Sequence, residues 1–225
     1  MKHMRLPEQQ RAIAIIERLR VATKNMVLPA ADLITNEYGK DPYLVLVSCI
    51  LSLRTKDNVS WPASRRLFTC AQSPYTMVNL SQATIEQAIY PSGFYRQKAK
   101  TILDISADLI SRFGGAVPST KEELMSFKGV GLKTANLVLA EGFDIPALCV
   151  DVHVHRISNR LGLVATRTPE ETEVALRELL PKKYWREFNK LLVMWGQNIC
   201  VPQSPRCSIC PVAPLCKRVG VVRSR

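Results

Sequence analysis

The sequence predicts an all-α protein, and three observations carry that prediction. Apolar residues recur at i, i+3, i+4 and i+7 in successive stretches, the spacing of one helix face. No stretch alternates apolar and polar residues with the period of two that a half-buried strand needs. Capping residues, N-terminal prolines and terminal glycines bracket the periodic runs. There is no internal repeat and no low-complexity region.

The first helix is expected over about residues 8–24, because Ala12, Ile15, Ile16 and Leu19 share a face. Asp41-Pro42 then reads as an N-cap followed by proline at the first helical position. It opens a run, Tyr43 to Leu53, so short of polar residues that the helix should be buried on most sides. Arg54-Thr55-Lys56-Asp57 follows, either a helix end meeting solvent or the lining of a groove. Ser81 ahead of Ile85, Ala88 and Ile89 marks another helix. So do Ile102, Ile105, Leu109 and Phe113, stopped by Gly114-Gly115. Between these two lies the turn Pro91-Ser92-Gly93-Phe94-Tyr95-Arg96-Gln97-Lys98, with an aromatic pair beside cations. Such a pair can stack on bases or simply pack a loop. Thr120-Lys121-Glu122-Glu123 and Thr168-Pro169-Glu170-Glu171 are capping boxes. Trp185, Phe188, Leu192 and Trp195 mark the last helix, and the basic tail, residues 217–225, is expected to fray.

The chain has 225 residues, enough for one large domain or two small ones. Lys and Arg outnumber Asp and Glu by 31 to 19, a formal charge of +12 that suits a polyanionic partner. The longest apolar run, Tyr43 to Leu53, is broken by Ser48 and Ser52 and is too short to span a bilayer. The N-terminus lacks the apolar segment of a signal peptide, and nothing is built on residues 1–4. An intracellular, reducing location is expected, the cytoplasm or nucleoid if the source is bacterial. The seven cysteines there do not form a disulfide framework. Cys49, Cys70 and Cys149 lie among apolar neighbours and are expected in the core.

Phe127-Lys128-Gly129-Val130-Gly131-Leu132-Lys133 ends one helix, turns on two glycines and starts another, which is a helix-hairpin-helix signature. Glycines permit positive φ and close backbone approach, so the amides at the next helix's N-terminus can face a phosphate. Such a turn grips a nucleic-acid backbone without reading sequence. Lys133 falls in the first turn of the second helix, where the dipole's positive end disfavours a cation. The same field should lower its pKa, and a partly neutral amine can attack carbon and form a Schiff base. The plainer role is to help hold phosphate, and this stretch alone leaves both open.

Asp151, emerging from an apolar run ahead of a helical pattern, reads as an N-cap. A carboxylate so placed can also stabilise positive charge on a deoxyribose ring as a base departs, or move protons afterwards. His153 and His155 lack the further ligands a metal site needs. Cys200, Cys207, Cys210 and Cys216 form C-x6-C-x2-C-x5-C, a spacing that points to a bound metal. Zinc takes four cysteines but is more often held by two C-x2-C-like pairs, and an iron–sulfur cluster tolerates the uneven spacing.

The order of lysine, aspartate and four cysteines resembles the endonuclease III family of DNA glycosylases with AP-lyase activity, within the helix-hairpin-helix superfamily. The resemblance runs from the helix after Asp41-Pro42 to Cys216. It rests on Ile50-Leu51-Ser52 with Thr55-Lys56-Asp57, Gly93-Phe94-Tyr95 with Lys98-Ala99, Gly129 to Asn136, Val150-Asp151-Val152-His153, and Trp195-Gly196-Gln197 before the cysteines.

The resemblance implies two helical lobes with a DNA groove between them. The central lobe would be residues 35–145, and residues 1–34 with 146–225 would form the cluster lobe. Lys133 would attack the sugar C1′, form a Schiff base and allow β-elimination, with Asp151 assisting. Cys200, Cys207, Cys210 and Cys216 would hold a [4Fe–4S] cluster that shapes a DNA-binding loop. Phe94 would be the wedge that fills the stack when a damaged nucleotide is flipped out. Arg54, Lys128, Gly129, Val130, Gly131, His153 and Arg206 would contact DNA. The expected partner is duplex DNA carrying damaged bases or abasic sites, and the protein a monomer. Removal of oxidised pyrimidines leads the reading. A mismatch thymine or uracil glycosylase of the same superfamily, a non-catalytic iron–sulfur redox sensor and a zinc-bound structural module are its rivals.

Three departures from the family pattern bear on substrate. Arg54 stands where glutamine is frequent and would face the base opposite the lesion, where a guanidinium can donate two hydrogen bonds to guanine. The loop Val201 to Arg206 keeps one cation, and Leu132 stands where arginine is common. Both suggest a weaker phosphate grip.

Overall fold

The computed structural model describes residues 5–225, so Met1 to Met4, part of the stretch read for a leader, lie outside it. Among the described residues all regular structure is helical, with no strand. None of the helices is long and apolar enough to cross a membrane. The chain divides into two compact units, one from Pro29 to Ile145 and one joining the residues up to Leu28 to Pro146–Arg225.

The central unit contains α2 (Ala30–Tyr38), α3 (Pro42–Ser52), α4 (Asp57–Cys70), α5 (Pro74–Met77), α6 (Gln82–Ile89), α7 (Tyr95–Phe113), α8 (Lys121–Met125) and α9 (Leu132–Gly142). Its axis is α3, whose residues from Tyr43 to Leu51 are all buried. The Asp41 carboxylate accepts from the amides of Tyr43 and Leu44 at 2.8 and 3.1 Å, and Pro42 fixes φ at the start. A helix without a polar face needs cover on every side, and α2, α4, α7 and α9 supply it. The fit with α9 is close: a Cβ added to Gly142 would lie 2.8 Å from Pro42 Cα. Because α2 packs on α3, α4 and α9, residues 29–34 belong to the central unit and not to the other lobe, where 1–34 was expected to lie.

The discontinuous unit joins α1 (Arg5–Ala22) to α10 (Val152–Leu161), α11 (Pro169–Leu179) and α12 (Trp185–Asn198). Ala12, Ile15, Ile16 and Leu19, the stripe read from sequence, are buried against Leu148, Ile157, Leu176, Phe188 and Leu192. The Thr168 cap forms as expected, its hydroxyl accepting from Glu171 N at 3.2 Å. Arg11 ties α1 to the far end of the chain, donating to the carbonyls of Leu161, Gly162 and Leu215 at 2.6 to 2.8 Å.

Two expectations fail here. Cys70, the last residue of α4, is exposed, whereas Cys49 and Cys149 are buried. Leu67 and Phe68 take the buried face, and Cys70 stands at the helix's C-terminal end. The tail does not fray either. Lys217 N and Val219 N donate to Leu161 O and Arg160 O, and Arg225 exchanges backbone hydrogen bonds with Pro205 and Ser208.

Candidate functional site

In the central unit the expected hairpin is present, α8 entering and α9 leaving. Thr120 caps α8, accepting from Glu123 N at 3.3 Å and donating to its carboxylate at 2.6 Å. Phe127 is buried and its carbonyl accepts from Val130 N at 3.1 Å, which closes the turn. The two glycines do different work. Gly129 has φ +87°, a conformation that favours glycine, whereas Gly131 is extended at φ −98° and is the N-cap of α9. Gly131 makes no side-chain cap, so the first amides of α9 meet no competing side chain there. Val130 is buried and offers a partner only its backbone, while Lys128 is exposed.

Lys133, the second residue of α9, is exposed. Its charge reaches the buried Cys49 thiol on α3, where it favours the thiolate against a larger effect of burial that pushes the thiol up to about 12. The amine lies at the positive end of its own helix.

A second feature of this unit is a pair of loops that meet. Arg54, just past α3, and Phe94, just before α7, are non-glycine residues in the left-handed region, with φ +52° and +58°. Phe94 is 59% exposed, which leaves its ring available to a partner. The Arg54 guanidinium carbon lies 5.6 Å from the Phe94 ring centroid, a cation–π pair.

In the discontinuous unit Asp151 is the N-cap of α10. Its Oδ1 accepts from the amides of His153 and Val154, both at 2.9 Å, and the side chain is buried to 9% exposure. The cap leaves Oδ2 out of both bonds. His153 is half-buried with its ring against Gly196: a Cβ there would lie 2.5 Å from Nδ1. Arg156 donates to this Nδ1 at 3.1 Å and to the carbonyls of Gly196 and Cys200. His155 pairs with Thr172 at 2.6 Å and is not arranged as a ligand.

Cys200, Cys207, Cys210 and Cys216 line one cavity, walled by Leu19, Ile157, Leu161, Ile199 and Val212. Burial raises the pKa of Cys210 and Cys216, so their thiolates need neighbours that favour them. Such neighbours are present. Arg160 Nη1 lies 3.5 Å from Cys200 Sγ, and Arg218 N donates to Cys216 Sγ at 3.4 Å. Trp195 Nε1 is buried with no partner within hydrogen-bond distance, yet it lies close enough to Cys210 to favour the thiolate. A buried donor without a hydrogen-bond partner, beside Cys210 on the wall of the cavity that the four cysteines line, fits a thiolate-bound inorganic group. Among the described residues no three His, Cys, Asp or Glu side chains are gathered as a metal site. Arg206 is exposed on the loop before Cys207, its amide held by Ile199 O at 3.0 Å.

Sequence reasoning passed over Lys98, Arg160 and Trp195 as individual residues. The signal for Lys98 was a lysine in the buried phase of α7, four residues before Ile102. For Arg160 and Trp195 it was position, on the helices that wall the cysteine cavity.

Residues 47–182 match the family described as HhH-GPD superfamily base excision DNA repair protein. Endonuclease III of Thermotoga maritima is 48% identical over 195 residues, covering 84% of this chain and 92% of that one. Endonuclease III of Bacillus subtilis is 35% identical, covering 79% and 81%. Among solved structures, a trapped endonuclease III–DNA covalent intermediate superposes with a TM-score of 0.81 at 30% identity, covering 93% and 96%. A helix-hairpin-helix with a lysine in its second helix, at this similarity over nearly the whole length, places the chain in the endonuclease III family of base-excision DNA glycosylase/AP lyases.

Proposed function

We propose that this DNA glycosylase/AP lyase acts on oxidised pyrimidines in duplex DNA, with Lys133 as nucleophile and Asp151 as its assisting carboxylate. The observation that carries the reading is Lys133 itself, an exposed amine in the first turn of α9 beyond an uncapped glycine turn. In this reading the amides after Gly131, with the backbone of Gly129 and Val130 and the Lys128 ammonium, hold a phosphate of the damaged strand. The held backbone presents a flipped nucleotide's C1′ to the Lys133 amine.

The amine attacks C1′ and the bond to the base breaks, its electron pair leaving with the base. The Asp151 carboxylate stabilises the positive charge that develops on the sugar. Transfer of a proton from nitrogen to the ring oxygen, as the C1′–O4′ bond breaks, gives the iminium and a 4′-hydroxyl. Removal of a C2′ proton then expels the 3′ phosphate, and hydrolysis of the unsaturated imine frees the lysine. Phe94 fills the space left in the stack, and Arg54, His153 and Arg206 contact the flanking DNA.

The four cysteines are proposed to hold a [4Fe–4S] cluster. Four unevenly spaced cysteines lining one cavity suit an iron–sulfur cluster, whereas structural zinc more often takes two C-x2-C-like pairs. Bound there, the group would supply rigidity to the loop that carries Arg206. Cys210→Ser is expected to yield a protein that loses its brown colour and iron and melts at a markedly lower temperature. A colourless wild-type protein containing zinc would overturn the assignment.

The reading is tested by incubating the protein with duplexes carrying thymine glycol, an abasic site, or a G·T or G·U mismatch, adding borohydride and assaying covalent adducts. Adducts with thymine glycol and the abasic site are expected. Adducts with the mismatches alone would retain the lysine chemistry and overturn the substrate. No adduct from cluster-loaded protein that still binds DNA would leave a non-catalytic DNA sensor. With thymine glycol placed opposite each base in turn, excision is expected to be fastest opposite guanine, and Arg54→Ala should remove the difference. Equal rates opposite all four bases in the wild type would exclude the role given to Arg54.

A further inference from the structure

Lys98 is the fourth residue of α7 and is 6% exposed, yet among the described residues it makes no ion pair. Burial alone lowers its pKa, to about 8. A buried ammonium without a carboxylate is a poor stabilising device, since an apolar side chain of similar length would fill the site without desolvating a charge. What Lys98 touches gives it another role. Its Nζ donates to Leu51 O at 2.6 Å, one of the last carbonyls of α3, and to Thr55 Oγ1 at 2.8 Å. The same Thr55 oxygen accepts from Gly93 N at 3.1 Å and donates to Leu53 O at 3.4 Å. That hydroxyl therefore uses its one donor and both acceptor sites.

These bonds join the residues on either side of the two left-handed positions. Thr55 follows Arg54, Gly93 precedes Phe94, and Lys98 N itself bonds to Phe94 O at 3.0 Å. The loops also touch: a Cβ on Gly93 would lie 3.1 Å from Arg54 O, close enough to force the loops apart. Non-glycine residues stay in the left-handed region only where their surroundings over-determine them. The Lys98–Thr55–Gly93 bonds supply that constraint at both places.

We propose that Lys98 is a positioning residue that pins the two loops, so that Arg54 and Phe94 enter the DNA stack as one preassembled wedge. The proposal rests on the reading of Phe94 and Arg54 as DNA-facing residues given above. Preassembly matters because a wedge ordered only on contact with DNA would lose part of its binding energy to its own ordering.

The test uses Lys98→Met, which keeps the unbranched chain up to the ε position and removes the donors, and Thr55→Val, which removes the shared acceptor. Each is combined with Phe94→Ala. Single-turnover excision of thymine glycol from duplex DNA is expected to fall by about tenfold or more in each single variant, as for other misplaced active groups. The loss should lie in the rate at saturating protein and not in duplex affinity. Cleavage of an abasic site in single-stranded DNA, which has no stack to fill, should fall far less. 2-Aminopurine beside the lesion should brighten less on mixing. The decisive comparison is the double variant: Lys98→Met with Phe94→Ala should be no slower than Phe94→Ala alone.

Unchanged excision in both Lys98→Met and Thr55→Val, or losses that multiply in the double variants, would overturn the pin. A wild-type rate in Phe94→Ala and Arg54→Ala would overturn the wedge reading beneath it. Should Lys98→Met fail to fold, Thr55→Val decides the question.

Discussion

Lys133→Gln is expected to abolish borohydride-trapped adducts and to lower strand cleavage at an abasic site by about a thousandfold or more, the scale of losing a covalent nucleophile. Glutamine is one bond shorter but keeps a polar hydrogen-bonding end, and its amide nitrogen cannot form an imine. Duplex binding should survive, because the phosphate grip proposed for the hairpin comes from its backbone and from Lys128. The separation of binding from chemistry is the informative part. Gel-shift affinity within about threefold of wild type, with no adduct, identifies Lys133 as the reacting group. Loss of affinity and activity in parallel would make it a phosphate ligand instead, the plainer role that its sequence position left open.

Asp151→Asn separates two roles held by one carboxylate. Oδ1 caps α10 through the amides of His153 and Val154, and asparagine caps helices about as well as aspartate. Stability should therefore change by less than about 1 kcal/mol. The charge that stabilises a cationic sugar is gone, so excision should slow by about a hundredfold or more, in the range of a lost electrostatic stabiliser. Thermal denaturation and single-turnover kinetics on the same preparation decide it. A large fall in melting temperature with proportionate loss of activity would reduce Asp151 to a cap.

How much was legible in the sequence depended on whether a signal is local. The Asp41-Pro42 start, the Thr120 and Thr168 caps, the stripe on α1 and the hairpin all depend on residues within one or two turns of each other. A reader of one sequence can see such patterns. The helices α2 and α4 went unread. The first has a side-chain-free N-cap, Pro29, and only nine residues, and the second carries Pro62 in its interior and mixes Arg65 and Arg66 with its apolar positions. The cysteine spacing pointed to a metal but could not reveal the orphaned Trp195 donor, which arises from the packing of α12 against a loop that follows it. The strapped tail is a similar case. Its basic composition suggested solvent, and only the carbonyls of α10 and of the loop around Pro205 show where it is held. Lys98 was quoted as part of a family pattern, but its meaning comes from Leu51 and Thr55, more than forty positions away.

The division of the chain also sets an order of events during synthesis. The partners of α1 lie in α11 and α12, and the whole central unit is made between them. As the chain leaves the ribosome, Pro29–Ile145 can close around α3 while the apolar stripe Ala12, Ile15, Ile16 and Leu19 still lacks its core. For that interval the nascent protein is a folded body trailing a sticky amphipathic helix at its front end, the kind of surface that holdase chaperones cover. The cysteine cavity is in the same position, because Leu19 forms part of its wall and its last cysteine follows α12. Any group bound in that cavity would thus be loaded late in synthesis, after the hairpin of α8 and α9 has already taken shape.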